Sequence, residues 1–216
     1  MTDLRLYDYA ASGNCYKARL LLAQLDRPYE RVPVDIFAGE TLSDEYARIN
    51  PARTTPVLET EHGYLPESNA ILVYLAAGTP LLPEDPFELA QLVHWLIYEQ
   101  TDVSPTTRGL RFMLLVGRLK PDDPAAVQGR QGAQAVLGRL DDHLATCEFF
   151  VGNRYTIADI AIYGYTHLAH EAGIDMQPYR HLRAWFVRVE QQPGYIEDVE
   201  PYGSNAALGA GRSLYD

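Results

Sequence analysis

Residues 11–22, ASGNCYKARLLL, mark the point at which an extended segment passes into a helix. The small and polar residues at its start are typical of a loop that ends in a helix cap. Apolar residues then follow at the spacing of one helical face, at Ala18, Leu21, Leu22 and Leu25. Before the loop, Leu4 and Leu6 alternate with polar neighbours, which predicts a short strand. The chain is therefore expected to begin with a strand, a loop and a helix.

Alternation returns after this helix at Val32, Val34 and Ile36, which predicts a second strand. Pro33 lies within it and has no N–H to donate to a ladder, so this strand should lie at a sheet edge. The further predicted elements are a short helix over residues 43–49, a strand at 57–59, a return strand near 64–65 and a helix over 68–77. This order is that of a thioredoxin-like α/β domain, which we predict for residues 1–79.

The second half of the chain lacks a strand pattern and favours helices. The proline-rich residues 80–86 are predicted to form a linker. Beyond it, apolar residues recur at helical spacing in stripes within residues 89–97, 133–144 and 182–189. We expect an all-helical domain over residues 87–205 and a loose tail over 206–216. The predicted fold class is α/β plus all-α, with a thioredoxin-like amino-terminal domain followed by a helical carboxy-terminal bundle.

Composition excludes several classes of function. The 216 residues carry a formal net charge of −11, and the basic residues are scattered. A nucleic acid or an anionic membrane surface requires a basic stripe, so neither is an expected partner. Cys15 and Cys147 are far apart and match neither a disulfide framework nor a zinc site, and the histidines show no ligand spacing, so no metal is predicted. The absence of a signal-peptide pattern or a long apolar run favours a cytoplasmic protein.

Three groups of residues point to chemistry, and the first is the loop with Ser12, Asn14 and Cys15. Their side chains and amides should meet the positive end of a helix dipole. Thioredoxin-like proteins place a reactive cysteine pair here, and with Ser12 at its first position the two-thiol chemistry is absent. The Ser12 hydroxyl and the Asn14 amide can instead donate hydrogen bonds to a ligand thiolate. Alternatively, Ser12 only caps the helix, while Cys15 forms mixed disulfides or packs as a small buried residue.

The second group lies in residues 50–57, NPARTTPV, and the third is Glu67 with Ser68. A cis bond before Pro56 would expose the N–H and C=O of Thr55 as an edge for an extended peptide; otherwise Pro56 simply begins a strand. At the start of a helix, an acid can accept from a ligand ammonium, while the serine amide and hydroxyl can donate to a carboxylate. Glu67 and Ser68 can thus recognise an amino-acid headgroup, although singly they are an ordinary cap.

In this order and spacing, the three groups resemble the glutathione transferase superfamily, in particular bacterial serine- or asparagine-type members of the nu-like or theta-like classes. The segments SGNCYKARLLL, NPARTTPVLE and ESNAILVYLA carry the resemblance, which extends from Leu4 to about Tyr202. Residues 156–159, TIAD, resemble the capping box of the family, in which Asp159 bonds back to the Thr156 amide.

The resemblance implies a role for individual residues. Ser12 and Asn14 match positions that activate the glutathione sulfur, and Cys15 matches the cysteine of the bacterial beta class. Glu67 and Ser68 match the pair that holds the γ-glutamyl end of glutathione. The other predicted glutathione-binding residues are Thr55 and Pro56 and, for the glycine carboxylate, Thr41 and Arg53.

Residues for a second substrate are less sharply indicated. Arg108 and Arg111 are candidates to face an anionic electrophile, although helix arginines are also ordinary surface charges. Tyr9 is a further candidate for the electrophile site. Tyr7 and Tyr9 also invite comparison with tyrosine-type transferases, but the loop after them offers the better-placed Ser12.

The sequence thus predicts a glutathione transferase that activates the bound thiol for attack on a small electrophile. Glutathione would be the co-substrate, with no metal or redox cofactor. Two alternatives remain open: a glutathione-dependent disulfide reductase, and a noncatalytic transferase-like binding protein. The resemblance further implies a homodimer and a role in detoxification.

Overall fold

The computed structural model describes residues 4–211, which form two compact units. One unit comprises residues 4–75 together with 196–211, and the other comprises Ala76–Tyr195. These units differ from the boundaries predicted from the sequence, because the chain after Tyr195 returns to the first unit. Buried side chains of the first helix bind this returning segment, as described below. Part of the predicted tail, residues 212–216, lies outside the described residues.

The first unit is built on a four-stranded sheet with the order β2-β1-β3-β4. The strands are β1 (Leu4–Asp8), β2 (Tyr29–Pro33), β3 (Val57–Thr60) and β4 (Gly63–Pro66). β1 pairs parallel to β2 and antiparallel to β3, and β3 and β4 form a hairpin. The prediction of an edge strand is confirmed, but β2 ends at Pro33, so Val34 and Ile36 lie beyond it, although the Val34 amide still donates to the Asp8 carbonyl at 2.8 Å.

Three helices and two short 3₁₀ turns accompany the sheet. The helices are α1 (Gly13–Gln24), α2 (Asp44–Ile49) and α3 (Ser68–Ala76), and the 3₁₀ turns are Glu40–Leu42 and Ser204–Ala206. α1 begins at the Ser12 cap and ends before Asp26, which adopts a left-handed φ of 48°. Tyr7 and Val57 on one face of the sheet pack with Tyr46 of α2. The predicted α/β class of this half is confirmed.

The second unit is helical, which confirms the predicted fold class of the chain. Its α-helices are α4 (Pro86–Tyr98), α5 (Gly109–Leu115), α6 (Pro124–Leu144), α7 (Ile157–Thr166) and α8 (Arg180–Glu190). A π-helical segment, Glu99–Arg108, joins α4 to α5 and contains Pro105, which lacks the N–H that a regular helix needs there. None of the helices within residues 4–211 is both long and apolar enough to cross a membrane.

The capping box predicted at α7 is confirmed. The Thr156 amide donates to Oδ2 of Asp159 at 2.9 Å, and the Thr156 hydroxyl accepts from the Ala158 amide. Asp159 is fully buried, and its Oδ1 also accepts from the Phe150 amide at 3.3 Å and from Nε1 of Trp185 at 2.9 Å. Burial raises the pKa of Asp159 to about 6 despite these donors. One carboxylate therefore joins the start of α7 to α8 and to the preceding loop.

Asp159→Ala should lower the free energy of unfolding at pH 7 by about 3 to 5 kcal/mol, because buried donors lose their acceptor. Urea denaturation followed by circular dichroism measures this change. Asp142→Ala, on the exposed side of α6, is the matched control and should stay within about 0.5 kcal/mol of the wild type. Equal midpoints for the two variants would contradict the role of Asp159.

Candidate functional site

The loop before α1 places Ser12 at the amino terminus of the helix. Ser12 is the N-cap residue with φ −85° and ψ 121°, and its Oγ accepts from the Cys15 amide at 3.3 Å. Its own amide donates to the Tyr9 carbonyl at 3.0 Å, which closes the loop on itself. Ser12 is half-buried, so a partly accessible hydroxyl stands beside the first N–H groups of the helix. Both roles predicted for Ser12, cap and hydrogen-bond donor, are compatible with this position.

Asn14 is oriented by a lysine that sequence reasoning missed. Nζ of Lys17 donates to Oδ1 of Asn14 at 3.0 Å, and Lys17 is fully buried. Because the ammonium group binds the amide oxygen, the NH₂ group at the other end of the planar amide points away from Lys17. The signal in the sequence is a charged residue within the apolar stretch of α1.

Cys15 lies in the same loop but in a different environment. It is 0% exposed, and its Sγ accepts from the Tyr9 amide at 3.4 Å. Burial, followed by the charge of Asp8, raises the pKa of Cys15 to about 12, although the hydroxyls of Thr55 and Ser12 hydrogen-bond the sulfur. A thiol with this pKa remains protonated near neutral pH and is a poor nucleophile.

The two tyrosines of the first strand and loop have structural partners. The hydroxyl of Tyr7 donates to Glu59 at 3.0 Å, and burial together with this carboxylate raises the pKa of Tyr7 to about 12. The ring of Tyr9 packs against Phe37 and Tyr202, with centroids 5.9 and 6.1 Å away. A raised pKa opposes activation of a thiol by Tyr7, in agreement with the preference for Ser12.

The Thr55-Pro56 peptide bond is cis. The loop before it is held by Thr54, whose carbonyl accepts from the hydroxyl of Tyr46 and from Nδ2 of Asn50, each at 2.9 Å. The Thr55 side chain hydrogen-bonds the Cys15 thiol. The predicted peptide-binding edge and the loop of α1 are thus linked through a buried sulfur.

Glu67 and Ser68 stand at the start of α3. Glu67 is exposed and has a left-handed φ of 75°, which is uncommon for a residue with a side chain. Ser68 is 1% exposed, and its Oγ has no hydrogen-bond partner among residues 4–211. A buried hydroxyl without a partner is costly in a folded protein, and a ligand that supplies an acceptor would remove that cost.

The corner predicted for the glycine carboxylate is occupied by internal contacts. Nη1 of Arg53 donates to the carbonyls of Thr41 and Ser43 at 3.1 and 2.9 Å, and Thr41 is buried. Arg53 has a left-handed φ of 56°. The guanidinium group therefore fixes the loop before α2, and its other N–H groups would have to serve a ligand.

The two arginines predicted for the electrophile site lie in the helical unit and have partners within it. Nε of Arg108 donates to Oγ of Ser104 at 2.8 Å. Arg111 is 2% exposed and forms an ion pair with Glu171. Neither side chain resembles the solvated surface charge considered from the sequence. A guanidinium group enclosed with its own carboxylate is poorly placed to receive an anionic substrate.

Two further features concern the binding of ligands. Among residues 4–211, groups of His, Cys, Asp and Glu that could hold a metal ion are absent. A cavity of about 690 Å³ lies over the α2 face of the sheet and is lined in part by Tyr7, Tyr46 and Tyr64. None of the residues predicted to bind glutathione lines it, so this cavity and the predicted chemistry are at different places.

Comparison with known proteins gives the family. A model of the glutathione S-transferase N-terminal domain matches residues 6–81, and a model of the C-terminal domain matches residues 95–193. A possible glutathione S-transferase from Rhodopseudomonas palustris has 39% identity and a TM-score of 0.86, covering 91% of this chain and 98% of its own. The glutathione S-transferase of Pseudomonas fluorescens has 36% identity and a TM-score of 0.87, covering 91% and 99%.

Elongation factor 1-gamma from Artemia salina is 30% identical over 195 residues, which are 87% of this chain but 44% of the factor. The chain thus spans less than half the length of this relative. Glutathione S-transferase 3 from Zea mays is 30% identical over 215 residues, 92% of this chain and 94% of that protein. Both family models and relatives of full length agree, and the chain belongs to the glutathione S-transferase family.

Proposed function

We propose that the chain is a glutathione transferase in which Ser12 and Asn14 stabilise the thiolate of bound glutathione at the start of α1. The observation that carries this proposal is the position of the Ser12 hydroxyl, half-buried beside the first amides of the helix. Asn14, whose amide oxygen accepts from Lys17, is proposed as the second donor through its NH₂ group. The raised pKa values of Cys15 and Tyr7 leave Ser12 as the better candidate.

The chemistry requires the glutathione thiol to lose its proton to solvent and the sulfur to attack. The new bond joins that sulfur to an electrophilic carbon, and the leaving group departs with the electron pair of the broken bond. Each unit by which the site lowers the thiol pKa corresponds to about 1.4 kcal/mol of preferential thiolate stabilisation. A helix amino terminus contributes about 0.3 to 1 kcal/mol, so the hydroxyl and amide donors must supply most of the rest.

Glutathione would be held by the other residues of the first unit. The Oγ of Ser68, which lacks a partner within residues 4–211, supports a role as donor to the γ-glutamyl carboxylate, with exposed Glu67 accepting from its ammonium. The backbone of Thr55, before cis Pro56, would pair with the cysteinyl part. Thr41 and Arg53 are proposed for the glycine carboxylate, and Tyr9, Arg108 and Arg111 remain proposals for the electrophile site.

A second candidate is a noncatalytic binding protein, favoured by the similarity to a relative whose name gives it a role in translation. Calorimetric titration with glutathione separates the two, since a binding module without a glutathione site would give no heat. The remaining alternative is a glutathione-dependent disulfide reductase. Turnover of a small disulfide but not of an aryl halide would favour it over the transferase. We propose the cytoplasm as the location of the protein.

We also propose a homodimer. α4 carries an exposed apolar stripe at a spacing of four residues, and its members Leu89, Val93 and Ile97 are 38%, 44% and 56% exposed. Neighbouring apolar side chains on one helix face are typical of an interaction surface. A second copy of the chain would bury this stripe in a symmetric pair.

Replacement of Ser12 separates catalysis from helix capping. In Ser12→Ala, the pKa of the thiol of bound glutathione should rise by about one to two units, and kcat should fall about a hundredfold. Ser43→Ala is the matched control, because Ser43 caps α2 by accepting from the Tyr46 amide at 3.1 Å. Both variants should lose about 1 kcal/mol of stability, whereas the control should keep its thiolate absorbance in the ultraviolet. If both variants retain it, the assignment of Ser12 is wrong.

The two cysteines should differ in reactivity. With a pKa of about 12, the fraction of Cys15 thiolate at pH 8 is on the order of one in ten thousand. In the Cys147→Ser variant, a chromogenic disulfide reagent should therefore detect almost no thiol in the native protein and one thiol in urea. Cys15→Ser, which keeps the partly exposed Cys147, is the control and should react while folded. Rapid labelling of native Cys15 would instead favour chemistry at that sulfur.

The dimer is tested by introducing a charge into the α4 stripe. Ile97→Lys should yield monomers in sedimentation velocity at micromolar concentration, because a buried ammonium without a partner opposes association. Val187→Lys, at a 49% exposed position of α8, should sediment like the wild type. A monomeric wild-type protein, or an Ile97→Lys variant that remains dimeric, would refute the proposal.

A further inference from the structure

The segment that returns to the first unit, residues 196–206, is attached beside the loop of Ser12. The hydroxyl of Tyr16 donates to the Ile196 carbonyl at 2.7 Å, and the Glu200 amide donates to the Ala10 carbonyl at 3.2 Å. Nδ2 of Asn205 donates to Asp35 at 2.7 Å. The carboxy-terminal segment is therefore bound at several points along its length to the elements that frame the loop.

The centre of this attachment is Arg19, which lies in α1 and is 0% exposed. Its Nε donates to both carboxylate oxygens of Asp198, at 3.1 and 2.9 Å, and its Nη1 pairs with Asp8. Its Nη2 donates to the Ala10 carbonyl at 3.2 Å and to the Asp198 carbonyl at 3.1 Å. Asp8 also pairs with Arg31, so two acids and two guanidinium groups balance in charge.

Arg19 holds the loop as well as the segment. Its contact with the Ala10 carbonyl is two residues before Ser12, and the same carbonyl accepts from the Glu200 amide. Within the same loop, the Ser12 amide donates to the Tyr9 carbonyl. The Asp198 carboxylate holds Nε of Arg19, next to the Nη2 group that contacts Ala10, so loss of its charge would weaken the hold on the guanidinium group that positions Ala10.

We infer that Asp198, acting through Arg19, is a positioning residue for Ser12, and that the carboxy-terminal segment is part of the catalytic framework. This inference rests on the proposed function. A displacement of about 1 Å in a reacting group can reduce a rate about a hundredfold. A partial release of the loop should therefore reduce turnover while leaving the distant contacts to the γ-glutamyl group intact.

The test compares wild type, Asp198→Asn and Asp198→Glu for bound-thiolate absorbance against pH and for steady-state kinetics in glutathione. Asp198→Asn should raise the pKa of the thiol of bound glutathione by about one unit and lower kcat about tenfold. The KM for glutathione should stay within about twofold of the wild-type value. Asp198→Glu, which retains a carboxylate, should recover most of the thiolate absorbance. Urea denaturation confirms that every variant is folded under the assay conditions.

Tyr16→Phe is the matched control, since it removes a hydrogen bond to the same segment at Ile196 and leaves the carboxylate of Asp198 in place. It should lose stability but keep the thiolate absorbance and kcat of the wild type. Glu200→Pro removes the second donor to the Ala10 carbonyl from an exposed position, and should act in the same direction as Asp198→Asn. This second variant carries the test if Asp198→Asn does not fold.

The outcomes distinguish this inference from the proposal on which it rests. If the wild type binds glutathione as a thiolate and Asp198→Asn behaves like Tyr16→Phe, Asp198 is only an anchor and the inference is wrong. If the wild type itself shows no bound thiolate, the proposed function fails first and the inference fails with it.

Discussion

The first amides of α1 have no partners within the helix, and the rest of the proposed site depends on how that end is enclosed. A helix leaves its first four N–H groups unpaired, so some acceptor must face them. Ser12 satisfies the Cys15 amide, and the partial positive charge of the helix remains directed at the space in front of the loop. The positive end of the helix stabilises an anionic sulfur in that space more than it stabilises a neutral thiol.

The contrast between Ser12 and Cys15 shows how environment outweighs intrinsic reactivity. A free thiol is far more acidic than a hydroxyl, so composition alone favours Cys15 as the reactive group. Burial reverses that order by raising the pKa of Cys15 to about 12, and its sulfur becomes a link to Tyr9 and Thr55. Ser12 never needs to ionise, because its proposed role is to donate a hydrogen bond.

Local patterns in the sequence predicted the strands and helices well. The edge position of β2 followed from Pro33 and the capping box of α7 from Thr156 and Asp159, because each depends on residues close in sequence. The contact between Arg19 and Asp198 joins residues 179 positions apart, and nothing in either neighbourhood indicates it. The return of the segment after Tyr195 was missed for the same reason. The enclosure of Arg111 with Glu171 likewise depends on tertiary packing that periodicity does not encode.

In a chain of net charge −11, an anion held at this loop has to be stabilised by groups close to it. Arg19 and Arg31 pair with Asp8 and Asp198, so the charges of this network balance. Stabilisation of a thiolate would then come from dipoles at contact distance, namely the helix end, the Ser12 hydroxyl and the Asn14 amide, together with the buried ammonium of Lys17 beside Asn14. Dipoles act only over short distances and only when correctly oriented. The neutral network around Arg19 therefore contributes orientation rather than charge, which is why a residue of the carboxy-terminal segment can matter to a site near the amino terminus.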